Sequence, residues 1–294
     1  PIEVLILRAT LRQRRHDFSG ALNDLSRILQ EQPQHTQAWL LQSVIHQVQG
    51  NYLLAKQSCI ALLQLSNSVI ATACVANAIN LNGRAQESYQ ALIKIVEQDN
   101  IGATSQETGW ALTVLAEIAA RLGKNEQADH YFQAALAIDR QDVYLLSAYS
   151  DFLLDQNRPQ DVKTLLQGTI THADNLTDSL LLRIAIAEQA LEELTLEQSI
   201  ETLKVRFANN RLRGDNQHLR EEARFTLVLL QQPLNALQLA LENWETQREP
   251  WDARILLDAA IHSGDRAAAQ PAIDWLKSVN FEDAQLEKRM AQLS

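Results

Sequence analysis

One phrase recurs along this chain at a spacing of 34 residues, and that spacing restricts the fold more than any other feature. Arg15-His16-Asp17-Phe18-Ser19-Gly20-Ala21 returns as Gln49-Gly50-Asn51-Tyr52-Leu53-Leu54-Ala55, which sets Phe18 against Tyr52 and Ala21 against Ala55. It appears again as Leu122-Gly123-Lys124-Asn125-Glu126-Gln127-Ala128 and then as Gln156-Asn157-Arg158-Pro159-Gln160-Asp161-Val162. A period of this length is one helix-turn-helix unit, which cannot bury its apolar face alone and must stack on its neighbours. Composition agrees: the 294 residues are 46% hydrophobic but only 5% aromatic, and 9 Gly and 6 Pro supply little turn chemistry for a β-rich fold.

The period predicts hairpins over 2–15 with 19–31, 36–49 with 52–65, 69–81 with 84–98, 106–121 with 125–138 and 143–156 with 159–171. Ser88 and Ala128 are 40 residues apart, so 99–105 reads as a surface insertion, either a functional loop or a tolerated spacer. Beyond His172 the register loosens, with pairs at 177–193 and 195–208, a polar loop at 209–216, and further pairs at 217–231 with 233–246 and 251–262 with 266–279. The amphipathic 282–293 segment, with Leu286 and Leu293 on one stripe, reads as a capping helix.

The residues that carry the period also carry a resemblance. Trp39, Gly50, Tyr52, Ala55 and the preceding Pro33 are similar to the pattern of tetratricopeptide repeats. The match is strong over 36–69 and 109–142 and extends to 2–35 and 143–176; it weakens over 69–103, where Ser88 replaces the usual alanine, and fades beyond 177. The resemblance implies an all-α, right-handed α-solenoid of stacked helix-turn-helix repeats. It would comprise five repeats over 1–176, divergent helical pairs over 177–281 and a capping helix over 282–294, in one continuous array. It also implies a concave groove, lined by first helices, that binds a peptide or partner protein without catalysis.

Alignment to the family places Ile6, Thr10, Leu40, Val44, Ala73, Asn77, Thr113, Glu117, Ser147 and Asp151 in that groove. Of the Lys, Asn and Arg side chains with which some members clamp a carboxylate, only Asn77 is present, so such a clamp is not supported. The groove reads as apolar near Leu40 and Val44 and acidic near Glu117, Asp151 and Asp155, which suits a partner segment with apolar anchors followed by Lys or Arg. The competing reading is that these carboxylates are merely solvated.

Two further clusters stand at the starts of later first helices: Arg220, Glu221 and Arg224, and then Arg248, Trp251 and Arg254. Arginine pairs with carboxylates in a fork and stacks on tryptophan, so these residues form either a recognition edge or ties between consecutive repeats. Arg213-Gly214-Asp215 has the form of an adhesion triplet and equally that of a turn before a helix N-cap.

Cys59 and Cys74 are the only cysteines and are equidistant from the turn at 66–68. In an antiparallel hairpin they come level, close enough for a disulfide, which would imply an oxidising compartment; two reduced, buried thiols are the alternative. The chain opens on Pro1 and its single methionine is Met290, so an upstream segment removed by an export peptidase or by expression design is expected. Together these features tilt localisation toward export. The net charge of -10 argues against nucleic acid, the densest basic run being the short Arg12-Gln13-Arg14-Arg15. No stretch approaches the roughly 18 apolar residues of a membrane-spanning helix.

Catalytic chemistry finds little footing. The sequence has no phosphate-binding Gly-Lys-Ser/Thr loop, no Gly-flanked serine nucleophile and no histidine pair at metal-binding spacing, so no cofactor or metal is expected. Among the scattered histidines, His218 beside Glu221 and Glu222 is the best acid/base candidate, against a plain helix-terminal role. The expected function is therefore a non-catalytic scaffold or adaptor, with a small-ligand sensor or enzyme built on the carboxy-terminal Arg/Glu/Trp cluster as the alternative.

Overall fold

The computed structural model describes residues 1–66, 68–98, 106–169, 176–214 and 218–293. Helices α1 (Ile2–Arg14) and α2 (Phe18–Glu31) form the first hairpin, α3 (Thr36–Val48) and α4 (Tyr52–Leu65) the second, and α5 (Val69–Asn80) and α6 (Ala85–Gln98) the third. They are followed by α7 (Gln106–Arg121) with α8 (Asn125–Ile138), and α9 (Val143–Asp155) with α10 (Pro159–Thr169). The later pairs are α11 (Asp178–Ala190) with α12 (Leu196–Leu212), α13 (Leu219–Val228) with α14 (Pro233–Trp244), and α15 (Pro250–Ser263) with α16 (Gln270–Ser278). A 3-10 turn at Arg266–Ala269 leads into α16, and α17 (Ala284–Leu293) packs on α15. The protein is thus an all-α solenoid.

Local chemistry fixes where each helix begins and ends. Side chains of Asp17, His35, Ser68, Asp142 and Thr177 accept a backbone N–H at the starts of α2, α3, α5, α9 and α11, satisfying donors that the helix leaves free. Each hairpin turn contains one residue with left-handed backbone: His16, Gly50, Gly83, Gly123, Asn157, Glu192, Gln231 and Gly264 in chain order. Small side chains at one position of the second helices, Ala21, Ala55, Ser88, Ala128 and Val162, are fully buried and let neighbouring helices approach. The polar loop expected at 209–216 begins later than the sequence suggests. Helix α12 runs through Leu212 because the Asn210 side chain turns inward and donates to Asp178 at 3.2 Å. The insertion at 99–105, His172 and Asp215 of the adhesion-like triplet lie outside the described residues.

First helices contact first helices along the whole chain, from α1 with α3 to α13 with α15, so they build one continuous inner wall. The superhelix then closes on itself. The Arg248 N–H donates to the Val48 carbonyl at 2.7 Å, and the Tyr52 hydroxyl donates to the Arg248 carbonyl at 3.0 Å. The Trp275 ring lies 5.5 Å from that of Tyr52, and Tyr52 and Leu81 belong to the same buried cluster as Trp244, Leu256 and Leu276. The Glu282 carboxylate accepts the Ala85 N–H at 2.9 Å and so caps α6 from a distant part of the chain. Gly50 serves both the turn and the closure. Its φ is 72°, and a Cβ there would lie 2.9 Å from Trp275 Cζ2 and 3.0 Å from Arg248 Cβ.

Candidate functional site

Closure converts the concave face into a cavity of about 700 Å³ lined mainly by first helices, from Gln47 on α3 to Arg254 on α15, with α17 contributing the Asp283–Lys288 side. Helical spacing explains the lining. Ser147, Asp151 and Asp155 are four residues apart on α9, as are Glu117 and Arg121 on α7, and residues at that interval share one helix face.

Charged side chains on the carboxy-terminal side form a connected network. Asp151, only 3% exposed, accepts Arg183 Nη2 at 2.7 Å and Arg224 Nη1 at 2.6 Å. Arg183 also donates to Glu221 at 3.1 Å and to the Ser179 carbonyl at 2.8 Å. Burial alone would push the Asp151 and Glu221 carboxyls up, but the surrounding guanidinium groups hold both below the usual carboxylate range. Arg254 forks onto Asp155, with Nη1 at 2.6 Å from Oδ2. The guanidinium carbons of Arg224 and Arg254 lie 4.4 and 4.0 Å from the Trp251 ring centroid. Arg220 donates to Glu249 at 2.8 Å and lies 3.6 Å from Asp252, which closes a reciprocal cap with the Glu249 backbone. Burial drives the Asp252 carboxyl up to about 6 despite Arg220.

The residues expected separately in the groove and at a carboxy-terminal edge therefore lie at one site. Asn77, Glu117, Asp151, Asp155, Arg220, Glu221, Trp251 and Arg254 line the cavity, and Arg224 joins them through Asp151 and Trp251. Leu40, Val44 and Arg248 do not line it: Leu40 packs on the buried cluster around Ala55 and Cys59, and Arg248 lies over Trp244 at 5.7 Å and takes part in the closure. The solvated alternative for the carboxylates does not describe Asp151 and Asp155, because both are bound by arginines of the chain itself. Nor are the arginine clusters only ties between consecutive repeats: Arg224 and Arg254 reach across to α9. Beside His218, Glu221 pairs with Arg183 and Glu222 with Arg211.

Sequence reasoning missed Arg183 and the Glu117–Tyr144 pair. Arg183 had a readable signal, a lone charge in the apolar run Leu180–Ala187, which folds only if that charge finds partners. The Tyr144 hydroxyl donates to both Glu117 oxygens at 3.0 Å. Desolvation within the cavity pushes the Glu117 carboxyl up, against the charge of Arg121 and the Tyr144 hydrogen bond, which lower it. Away from the cavity, the Cys59 and Cys74 sulfurs are bonded at 2.09 Å with Cα atoms 5.4 Å apart, linking α4 to α5, and the Ser43 hydroxyl lies 3.0 and 3.2 Å from them.

A stack of helical hairpins around a cavity lined by first helices defines a helical-repeat protein of the solenoid class. Residues 67–141 match the tetratricopeptide repeat family model. No curated protein matches it in sequence. Among solved structures it is similar to PilW, described as a widely conserved type IV pilus biogenesis factor, with 18% identity over 70% of this chain and 94% of that one and a TM-score of 0.51. It is also similar to a tetratricopeptide repeat protein from Parabacteroides merdae, with 12% identity, 88% and 98% coverage and a TM-score of 0.48. At 18% identity the likeness to PilW is one of fold. Tetratricopeptide folds are interaction scaffolds, and no helix among the described residues is long and apolar enough to cross a membrane.

Proposed function

We propose that this chain is a non-catalytic scaffold that holds a short segment of a partner protein in the cavity formed by its first helices. The observation that carries this reading is the cavity itself, about 700 Å³ and half open, with polar and apolar side chains from successive hairpins facing one space. An enzyme or small-ligand sensor built on the carboxy-terminal arginines and Trp251 is less favoured, because those donors are already engaged with Asp151, Asp155, Glu221 and Glu249. The buried Cys59–Cys74 link supports a working place in an oxidising compartment.

Site-specific photocrosslinking tests the cavity. A benzophenone side chain at Gln156, which lines the cavity, should trap a partner from native extract, whereas the same group at Leu54, exposed on a second helix, should not. Adducts at position 54 with none at 156 would refute the reading.

A further inference from the structure

Glu117 differs from every other carboxylate that lines the cavity. Asp151, Asp155, Glu221 and Glu249 each have an arginine partner, and Asp283 accepts the backbone N–H groups of Gln285 and Leu286 at 2.8 and 3.1 Å. Among the described residues, Glu117 is held by the neutral Tyr144 phenol and by no cation. Arg121, one helical turn further along, lowers the Glu117 carboxyl through space but makes no hydrogen bond to it, its Nη2 going to the Asn80 side chain at 2.6 Å. A carboxylate partly withdrawn from water gains most from a cation when that cation can shed water at the same time.

The surface beside Glu117 is suited to such a cation. Tyr144 is 54% exposed and Val143 41% exposed, both at the start of α9 and both lining the cavity. An aromatic ring and a branched aliphatic side chain next to a carboxylate match an alkyl stem that ends in positive charge. The stem covers apolar surface, and the charge meets the carboxylate and the face of a π system. Desolvation, ahead of the charges of Glu249 and Asp151, pushes the Glu117 carboxyl up, and a cation on its oxygens would bring it back down.

We infer that the cavity receives a lysine or arginine side chain of the partner segment, its charge on the Glu117 carboxylate and its stem against Tyr144 and Val143. This assignment rests on the cavity being the binding site. It narrows the acidic surface of Glu117, Asp151 and Asp155 to the one of these carboxylates whose oxygens no arginine among the described residues bonds.

The test is selection on the immobilised protein from a randomised hexapeptide library blocked at both ends, with mass-spectrometric readout. The protein should retain Lys- and Arg-bearing members at least ten-fold over counterparts carrying norleucine or citrulline. Glu117→Gln keeps an acceptor for the Tyr144 hydroxyl and should erase that discrimination at unchanged helicity. Glu117→Lys should shift retention to Asp- and Glu-bearing members, which guards against a fold defect in either variant. Gln156→Trp, which sets a bulky ring among the lining residues, should abolish retention. If Gln156→Trp abolishes retention but neither the protein nor Glu117→Gln discriminates by charge, the cation assignment is wrong and the cavity stands. If retention survives Gln156→Trp, the cavity reading fails and the assignment with it. Retention of no peptide by the unaltered protein overturns both.

Discussion

Asp151 is the residue on which most buried charge converges, and its removal should be felt more than that of any surface ion pair. Asp151→Ala leaves Arg183 and Arg224 buried without their shared acceptor, and breaking a buried pair in this way costs about 3–5 kcal/mol. Urea denaturation should show that loss, while Arg158→Gln, at a half-exposed pair, should lower the unfolding free energy by ~1 kcal/mol or less. The pH dependences of Asp151 and Asp252 have opposite signs. The folded-state carboxyl of Asp151 lies below its unfolded value, so its stabilisation is present above that unfolded value and is lost as pH falls through the folded one. Asp252 is raised from 3.8 to about 6, so its favourable contribution is complete below the lower value and is lost as pH rises through the upper one. Stability measured from pH 4 to 6 should therefore decline less with rising pH in Asp252→Asn than in the unaltered protein. Identical slopes would show that Asp252 does not titrate in this window.

At the scale of helices, the alanine phase and the cysteine link make separate demands. Ala55 is fully buried on α4, and Ala55→Arg should cost at least the ~1–3 kcal/mol of an overpacked core, with more for an unpaired charge. An unchanged melting temperature would show that the position tolerates bulk. The Cys59–Cys74 bond closes a short loop at a sequence separation of 15, for which chain entropy gives about 3 kcal/mol. Both sulfurs are buried, so reduction should require unfolding first, and the reduced protein should then melt at lower temperature. Through α10 the recurring phrase placed helices to within a residue or two, because turn residue, small residue and apolar stripe repeat together. After 177 that phrase is gone, and Asn209–Leu212 stayed helical through a tertiary bond from Asn210 to Asp178 that no local pattern announces.

The closure belongs to the whole molecule and was the least legible feature, since nothing in a repeat's own period says where its distant relatives will dock. For the same reason the groove carboxylates and the later arginine clusters read as two regions: Asp151 and Arg224 are 73 residues apart in sequence and 2.6 Å apart in space. Trp275→Ala should loosen the closure at Tyr52 and Gly50 without melting helices, so small-angle scattering should report a larger radius of gyration at unchanged circular dichroism. An unaltered radius would assign the closure to the Arg248–Val48 and Glu282–Ala85 bonds alone. Open repeat arrays fold from almost any point and fray from their tips, because every contact is local. A chain whose last hairpin grips its second and third has no free tip on that side, and its closing bonds span nearly two hundred residues. Loop-closure entropy must be met before those bonds form, so refolding should show a fast phase of helix pairing and a slower one of ring closure.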